Sequence, residues 1–251
     1  MLSRKSCIAV LSSAVAVGTL ISAQASVSYW SASSGLRPDQ VSSYWVLQDD
    51  TPATPPFFTN GVMTLATTTK PRLEYFDAGP AGITMPTDLT IEFRARFASR
   101  VATANNVSPM SVYFSFGGGL GGALNFGLDD LWLASGYHVR GAGTSVDTDT
   151  AFHTYRIEVN GVSLGSPIKV YYDNALTPLL TGAVVYDASL NCGDPNVGFG
   201  DADDKDSGVS AWEYLWHNAS CVPINAVPEP TSAMLLAVGA LFLGHRKLRR
   251  N

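Results

Sequence analysis

The densest group of potential metal ligands lies near residue 200. Residues 201–206 read Asp-Ala-Asp-Asp-Lys-Asp, which places four carboxylates directly after a predicted strand. Ca²⁺ prefers about six to eight oxygen ligands, which carboxylates, backbone carbonyls and water can supply. Lys205 interrupts the acids, and the glycine and distal glutamate of an EF-hand loop are missing. A calcium site is therefore predicted, with a solvated acidic turn as the alternative; its ligands would be Asp201, Asp203, Asp204 and Asp206.

A second group of charged residues occupies alternate positions on two predicted strands, Leu89–Ser99 and Tyr155–Val159. Because successive side chains of a strand point to opposite faces, the charged residues share a polar face. Such a face can hydrogen-bond the hydroxyls or carboxylates of a ligand. Its charges can equally pair across strands, which contributes little stability. The candidate ligand-binding residues are Glu92, Arg94, Arg96, Arg156 and Glu158.

Aromatic residues give two further patterns. Trp212, Tyr214 and Trp216 alternate with other residues, a stripe more typical of a core than of a surface that stacks on sugar rings. Three other tryptophans have no such constraint, and any that stands on a loop could stack on a sugar: Trp30, Trp45 and Trp132.

No constellation of catalytic residues is evident. Hydrolysis of a glycosidic bond requires two carboxylates that face one cleft. Glu92 and Glu158 are each the single acid on the polar face of their strand, and the adjacent residues 129–130 would point to opposite faces. The segment Gly117–Gly122 lacks the helix and lysine of a phosphate-binding loop. Three histidines are isolated in the sequence: His138, His153 and His217. We therefore predict no catalytic residue.

The elements that would position these residues are short strands. Alternation with a period of two recurs between Ser26 and Pro230, bounded by Gly, Pro, Asn and Asp, and no helix is predicted there. Many short strands at this spacing are typical of a sandwich or a barrel. Beyond the two strands above, the candidates are Val112–Phe116, Val62–Ala66, Arg72–Phe76, Leu124–Leu128, Lys169–Tyr172, Val197–Gly200 and Ala211–Trp216.

The start of the chain predicts export. Arg4 and Lys5 precede an apolar stretch, and the small residues Ala23 and Ala25 form a cleavage pattern before Ser26. These features are typical of a secretory signal peptide over residues 1–25, with an N-terminal membrane anchor as the alternative. Residues 26–230 then carry ten basic and 21 acidic residues, a net charge of −11. That charge argues against nucleic acid as a partner.

Outside the leader, two cysteines remain, Cys192 and Cys221. An exported chain with an even number of cysteines predicts one disulfide. A metal-binding pair is the less favoured alternative, because no histidine or further cysteine lies close to either residue in the sequence.

The end of the chain predicts a sorting signal. Residues 233–244 are apolar but shorter than the roughly 20 residues of a stable span, and a basic segment follows. The order of Val227, Pro228, Glu229 and Pro230, apolar helix and basic end resembles the PEP-CTERM signal of Gram-negative bacteria. The resemblance implies that an exosortase recognises residues 223–251, that a short transmembrane helix holds the protein transiently, and that the protein then reaches the cell surface or extracellular matrix. An ordinary tail anchor is the alternative.

Several strand phrases carry a second resemblance, over residues 26–222. Leu89–Phe97, His153–Gly161, Lys169–Asn174, Val197–Asp201 and Ser210–His217 occur in the order found in the concanavalin A-like, laminin G-like β-sandwich. The resemblance implies an all-β jelly roll of two sheets. That superfamily includes glycan binders, adhesion modules and glycoside hydrolases, so the fold alone does not select a function.

Together these observations predict an exported, non-enzymatic β-sandwich protein that acts in adhesion or carbohydrate binding, with extracellular polysaccharide as its partner. Two alternatives remain open. One is a secreted glycoside hydrolase or polysaccharide lyase of the same fold. The other is a purely structural matrix protein that binds no sugar.

Overall fold

The computed structural model describes residues 28–49, 55–67, 72–77, 83–101, 108–136, 139–187, 195–202 and 207–219. Within them, the only helical segments are a 3₁₀ turn, Ala32–Ser34, and a four-residue helix, Pro38–Val41. No helix in this part of the chain is long and apolar enough to span a membrane. The predicted signal peptide, cysteine pair and C-terminal sorting signal lie outside the described residues, as do Asp203, Asp204 and Asp206.

The described ranges are built almost entirely from strands. Numbered in chain order, these are β1 Ser28–Ser31, β2 Trp45–Asp49, β3 Phe57–Thr59, β4 Val62–Ala66, β5 Leu73–Asp77, β6 Asp88–Val101, β7 Ser111–Gly117, β8 Leu120–Phe126, β9 Asp130–Gly136, β10 Val139–Ser145, β11 His153–Asn160, β12 Pro167–Tyr172, β13 Leu180–Ala183, β14 Val185–Tyr186, β15 Asn196–Asp201 and β16 Ser207–His217.

The strands form two antiparallel sheets. The first sheet has the order β13-β12-β11-β6-β16-β4-β3, and β1 also pairs with β16. The second sheet has the order β10-β9-β8-β7-β15-β5-β2, and β14 also pairs with β8. The chain passes between the sheets repeatedly, so strands distant in sequence become neighbours. The prediction of an all-β sandwich is confirmed.

Alternation of apolar and polar residues decides which face of each strand is buried. In β6, five alternating apolar side chains are at most 1 % exposed, and the polar residues between them are partly exposed. The buried residues are Leu89, Ile91, Phe93, Ala95 and Phe97. Strand β11 repeats the pattern in register, because Ile157 pairs with Ile91 and Tyr155 with Phe93. Below, the outer face of a sheet means the face directed away from the other sheet.

Aromatic rings join the two sheets across the core. Phe199 of the second sheet packs against Trp212 of the first, with ring centroids 4.6 Å apart, and it stacks on Trp30 at 5.7 Å. Phe126 and Phe93 make a second contact between the sheets at 6.0 Å. Offset and edge-to-face pairs of this kind stabilise a core beyond the area they bury.

The glycine-rich segment Gly117–Gly122 is partly a turn and partly strand. Gly117 ends β7 and residues 118–119 form the turn to β8, all three with positive φ (83°, 61° and 79°), whereas the last two glycines belong to β8. A Cβ at Gly122 would lie 2.9 Å from Cζ of Phe114 and 3.0 Å from Cδ1 of Ile168 in the opposite sheet. Gly122 therefore allows the sheets to approach closely.

Candidate functional site

The structure brings the five charged candidates together on the outer face of the first sheet. Three lie on β6 and two on β11, the neighbouring strand, and all are partly exposed. Arg156 is the cross-strand partner of Glu92. The candidates thus form one polar surface, as the alternation predicts; they are Glu92, Arg94, Arg96, Arg156 and Glu158.

Most of these charges have a partner. Nε of Arg94 lies 2.7 Å from Oε2 of Glu213 on β16, and Nε of Arg156 lies 3.0 Å from Oε1 of Glu158 on the same strand. The hydroxyl of Tyr214 donates to Oε1 of Glu92 at 3.1 Å. The alternative of cross-strand ion pairing is therefore realised at Arg94, while both members of each ion pair remain partly exposed.

The register of the strands places aromatic residues beside these charges. Tyr29 pairs with Trp216, Trp216 with Glu92, Glu92 with Arg156, and Arg156 with Tyr171. Directly paired residues of antiparallel strands point to the same side, so the five form one line across five strands. At roughly 4.8 Å between strands, the line is about 19 Å long. We call it the aromatic row.

The two ends of the aromatic row differ in character. Tyr29 is 56 % exposed and Trp216 partly exposed, so their rings are open to a ligand. Tyr171 is buried, because the guanidinium of Arg156 lies over its ring at 4.3 Å. Such a cation–π contact, together with Glu158, fixes where Arg156 points.

A β-bulge in β16 produces this surface. Trp212 pairs with Ala95, whereas Tyr214 pairs with Arg94, so one extra residue, Glu213, stands between them. A bulge shifts the alternation of a strand by one residue. Trp212 is fully buried, while Tyr214 and Trp216 lie on the outer face. The interpretation of the three aromatics as one core stripe was wrong for these two residues.

The three tryptophans considered as loop residues are all in strands. Trp30 lies in β1, Trp45 in β2 and Trp132 in β9, and their exposures are 0 %, 3 % and 0 %. Nε1 of Trp30 donates to the carbonyl of Leu36 at 2.9 Å. Trp30 and Trp45 belong to the core between the sheets. Trp132 alternates with the core residues Leu131 and Leu133, so it lies on the other face of β9, where the Arg140 guanidinium covers its ring at 4.4 Å. None of the three rings is exposed enough to stack on a ligand.

A second line of residues crosses the same face, four residues along β6 from the aromatic row. Phe57 pairs with Thr64, Thr64 with Ala211, and Ala211 with Arg96. Phe57 is 50 % exposed. The guanidinium carbon of Arg96 lies 5.5 Å from the centroid of the Phe152 ring. We call Phe57, Thr64, Ala211 and Arg96 the Arg96 row.

Two of the three histidines are not isolated in space. His217 is fully buried, and its Nε2 lies 3.1 Å from Oδ2 of Asp77, which also accepts a hydrogen bond from Ser28. Nδ1 of His153 lies 2.8 Å from Oδ2 of Asp173, and the ring stacks on Tyr172. The expectation of isolated histidines was wrong here, because strand pairing joins distant segments; His138 lies outside the described residues.

Of the predicted calcium ligands, only Asp201 is described. It ends β15 and is 1 % exposed, and its Oδ2 accepts a hydrogen bond from the Thr67 hydroxyl at 2.6 Å. This bond commits one Asp201 oxygen to a contact within the fold, which leaves a metal site dependent on residues 203–206. In the part of the chain that the structure describes, no group of three or more acidic, histidine or cysteine residues could hold a metal ion.

Tyrosine hydroxyls on the polar face stay protonated at neutral pH. Burial is the largest cause that raises the pKa of Tyr214. A hydrogen bond with Thr154 opposes the shift, and the Glu92 carboxylate adds to it. Burial, followed by the hydrogen bond with Glu158, raises the pKa of Tyr171. The Tyr214 hydroxyl is therefore a lasting hydrogen-bond donor to the Glu92 carboxylate.

Neither a protein-family model nor a characterised protein sequence matches the chain. Solved structures do show some similarity. The carbohydrate recognition domain of Emp46p, in a mutant form, is 13 % identical, with a TM-score of 0.44, over 74 % of this chain and 93 % of that one. Lectin II from Ulex europaeus is 9 % identical, with a TM-score of 0.48, over 78 % and 98 %. An endo-1,3-β-glucanase from Streptomyces sioyaensis is 12 % identical, with a TM-score of 0.44, over 72 % and 90 %. Similarity at this level assigns neither a family nor an activity to the chain.

Proposed function

We propose that the protein binds glycans through the aromatic row on the outer face of the first sheet. The observation that carries this proposal is the order of the aromatic row. Two accessible aromatic residues, Tyr29 and Trp216, are followed on the next two strands by Glu92 and Arg156. Residues on one rigid sheet keep their spacing, which lowers the entropic cost of ordering a binding surface.

The chemistry of the row suits a sugar chain. A pyranose ring has an apolar face of C–H groups, which packs against Tyr29 and Trp216, and a rim of hydroxyls. Arg156 can donate hydrogen bonds to these hydroxyls, and the Glu92 carboxylate can accept hydrogen bonds from them. Because Tyr214 and Tyr171 already hold these two side chains in place, less side-chain entropy is lost on binding.

We further propose that the domain is a concanavalin A-like sandwich, that it is non-enzymatic and acts in adhesion, and that its PEP-CTERM tail directs it through an exosortase to the cell surface or matrix. The all-β sandwich is compatible with this placement. The net charge of −11 over residues 26–230 suits a domain exposed to water outside the cell. The calcium site at residues 201–206 stays a prediction.

The test is a glycan array, followed by calorimetry on the glycans that bind. Tyr29→Ala and Trp216→Ala should each lower affinity at least about fivefold, since each removes about 1 kcal/mol of apolar contact. Tyr186→Ala is the matched control, because Tyr186 is similarly exposed, at 62 % against 56 % for Tyr29, but lies on the other sheet.

Thermal unfolding of each variant shows that the fold is intact. A wild-type protein that binds no glycan on the array contradicts the proposal and favours the structural matrix role. Equal losses in Tyr29→Ala and Tyr186→Ala also contradict it, because the effect would not belong to the aromatic row.

A further inference from the structure

We propose that Arg96 binds the carboxylate of an acidic sugar, so that the glycan recognised by this face contains uronic acid residues. This inference rests on the proposed glycan-binding function and adds a substrate class to it. The three arginines of this face differ in how their charges are compensated, and that difference singles out Arg96.

Arg94 and Arg156 are each neutralised by a carboxylate, whereas Arg96 is not. Arg94 pairs with Glu213 and Arg156 with Glu158. Arg96 makes no ion pair with any described residue, and its guanidinium contacts the ring of Phe152 instead. The residue is partly exposed, so a ligand carboxylate can approach the guanidinium and supply the missing negative charge.

The surroundings of Arg96 combine one aromatic contact with small cross-strand neighbours. Phe152 lies beside it at 5.5 Å, within the range of a cation–π contact. Its cross-strand neighbour is the small residue Ala211, followed by Thr64 and then the half-exposed ring of Phe57. The Arg96 row thus has a cation at one end, the small side chains of Ala211 and Thr64 in the middle, and the ring of Phe57 at the other end.

Guanidinium and carboxylate match in geometry. A carboxylate can accept two parallel N–H bonds from the planar fork of arginine, and charge-assisted bonds of this kind are about twice as strong as neutral ones. Arg96 lies four residues along β6 from Glu92, so the two rows are about 13 Å apart. A glycan that stacks on Trp216 and runs along β6 and β16 therefore passes Arg94 and Tyr214 before it reaches Arg96.

The test compares matched acidic and neutral ligands. An array carries uronate-containing oligosaccharides beside the same oligosaccharides after carboxyl reduction, which converts each uronate into a neutral hexose. The wild type should prefer the acidic forms, and Arg96→Gln should lower affinity for them about tenfold while leaving neutral forms unchanged. The preference should also weaken as salt rises.

Lys169→Gln is the matched control, since it removes the same charge from the same face at a position outside both rows. An equal loss in Lys169→Gln and Arg96→Gln overturns the inference, because it reports general attraction to a polyanion. Binding of neutral and acidic forms alike, with no effect of Arg96→Gln, overturns the inference but leaves the proposed function standing. Binding of no glycan at all overturns both.

Discussion

The stability of the fold depends on pH through one carboxyl group, that of Asp147, in the loop that precedes β11. The carboxylate of Asp147 accepts hydrogen bonds from the hydroxyl of Thr150 and from the backbone N–H groups of Thr150 and Asp149. The Thr150 hydroxyl first, then these backbone groups and the nearby His153, lower the pKa of Asp147 from 3.8 to about 2. The same loop carries Phe152, the ring beside Arg96.

The sign of the effect follows from the direction of that pKa shift. A carboxyl group with a lower pKa in the folded state stabilises the fold above its unfolded pKa, and the contribution is lost as pH falls from about 4 to about 2. Thr150→Val should raise the pKa of Asp147 toward 3.8, as measured by NMR titration of the carboxyl carbon. Thr59→Val, on the distant strand β3, should leave it at about 2. An unchanged pKa in Thr150→Val would mean that the backbone bonds alone hold the carboxylate.

At the scale of the element, the bulge in β16 decides which residues can reach a ligand. Deletion of Glu213 would remove the bulge and place Tyr214 directly after Trp212, so regular alternation would keep residues 214–217 on their native faces. Leu215 and His217, which are fully buried in the native fold, would stay in the core. We therefore expect the deletion variant to fold, with a urea midpoint close to that of Glu213→Ala.

Glu213→Ala distinguishes the effect of the extra residue from the effect of the Glu213 side chain. This variant keeps the extra residue and removes only the partner of Arg94, a partly exposed pair. Exposed ion pairs contribute about 0–1 kcal/mol, so its unfolding free energy should stay within that range of the wild type. A deletion variant far less stable than Glu213→Ala would contradict this expectation, because it would mean that the fold requires the extra residue at the bulge.

The sequence predicts the long strands well and the bulge not at all. Strands β6 and β11 follow from alternation because each buries one face against the core, and the shared polar face of Glu92 and Arg156 follows with them. Short edge strands such as β1 and β14 carry too few residues to show a period. The aromatic row was missed because it depends on pairings such as Tyr29 with Trp216, which join the two ends of the domain.

At the scale of the whole molecule, the core between the sheets keeps the outer face of the first sheet rigid. The core is continuous between the sheets, with Trp30, Phe199 and Trp212 packed together at one end and Phe93 and Phe126 further along. A sheet held by such a core keeps Arg96 and Trp216 at a fixed separation. The spacing of the two rows is thus a property of the fold rather than of any local loop.

Where this surface works depends on the proposed sorting signal. If an exosortase reads Pro228, Glu229 and Pro230, then Glu229→Gln in a host that carries the enzyme should leave full-length protein in the inner-membrane fraction. The wild type should instead reach the cell surface in processed form, as shown by fractionation and by the mass of the released chain. Asp88→Asn is the matched control: it removes the same charge from an exposed residue of the sandwich, outside residues 223–251, and should behave like the wild type. Identical distribution of Glu229→Gln and the wild type would favour an ordinary tail anchor, since retention by an apolar segment and its basic end does not require the triplet.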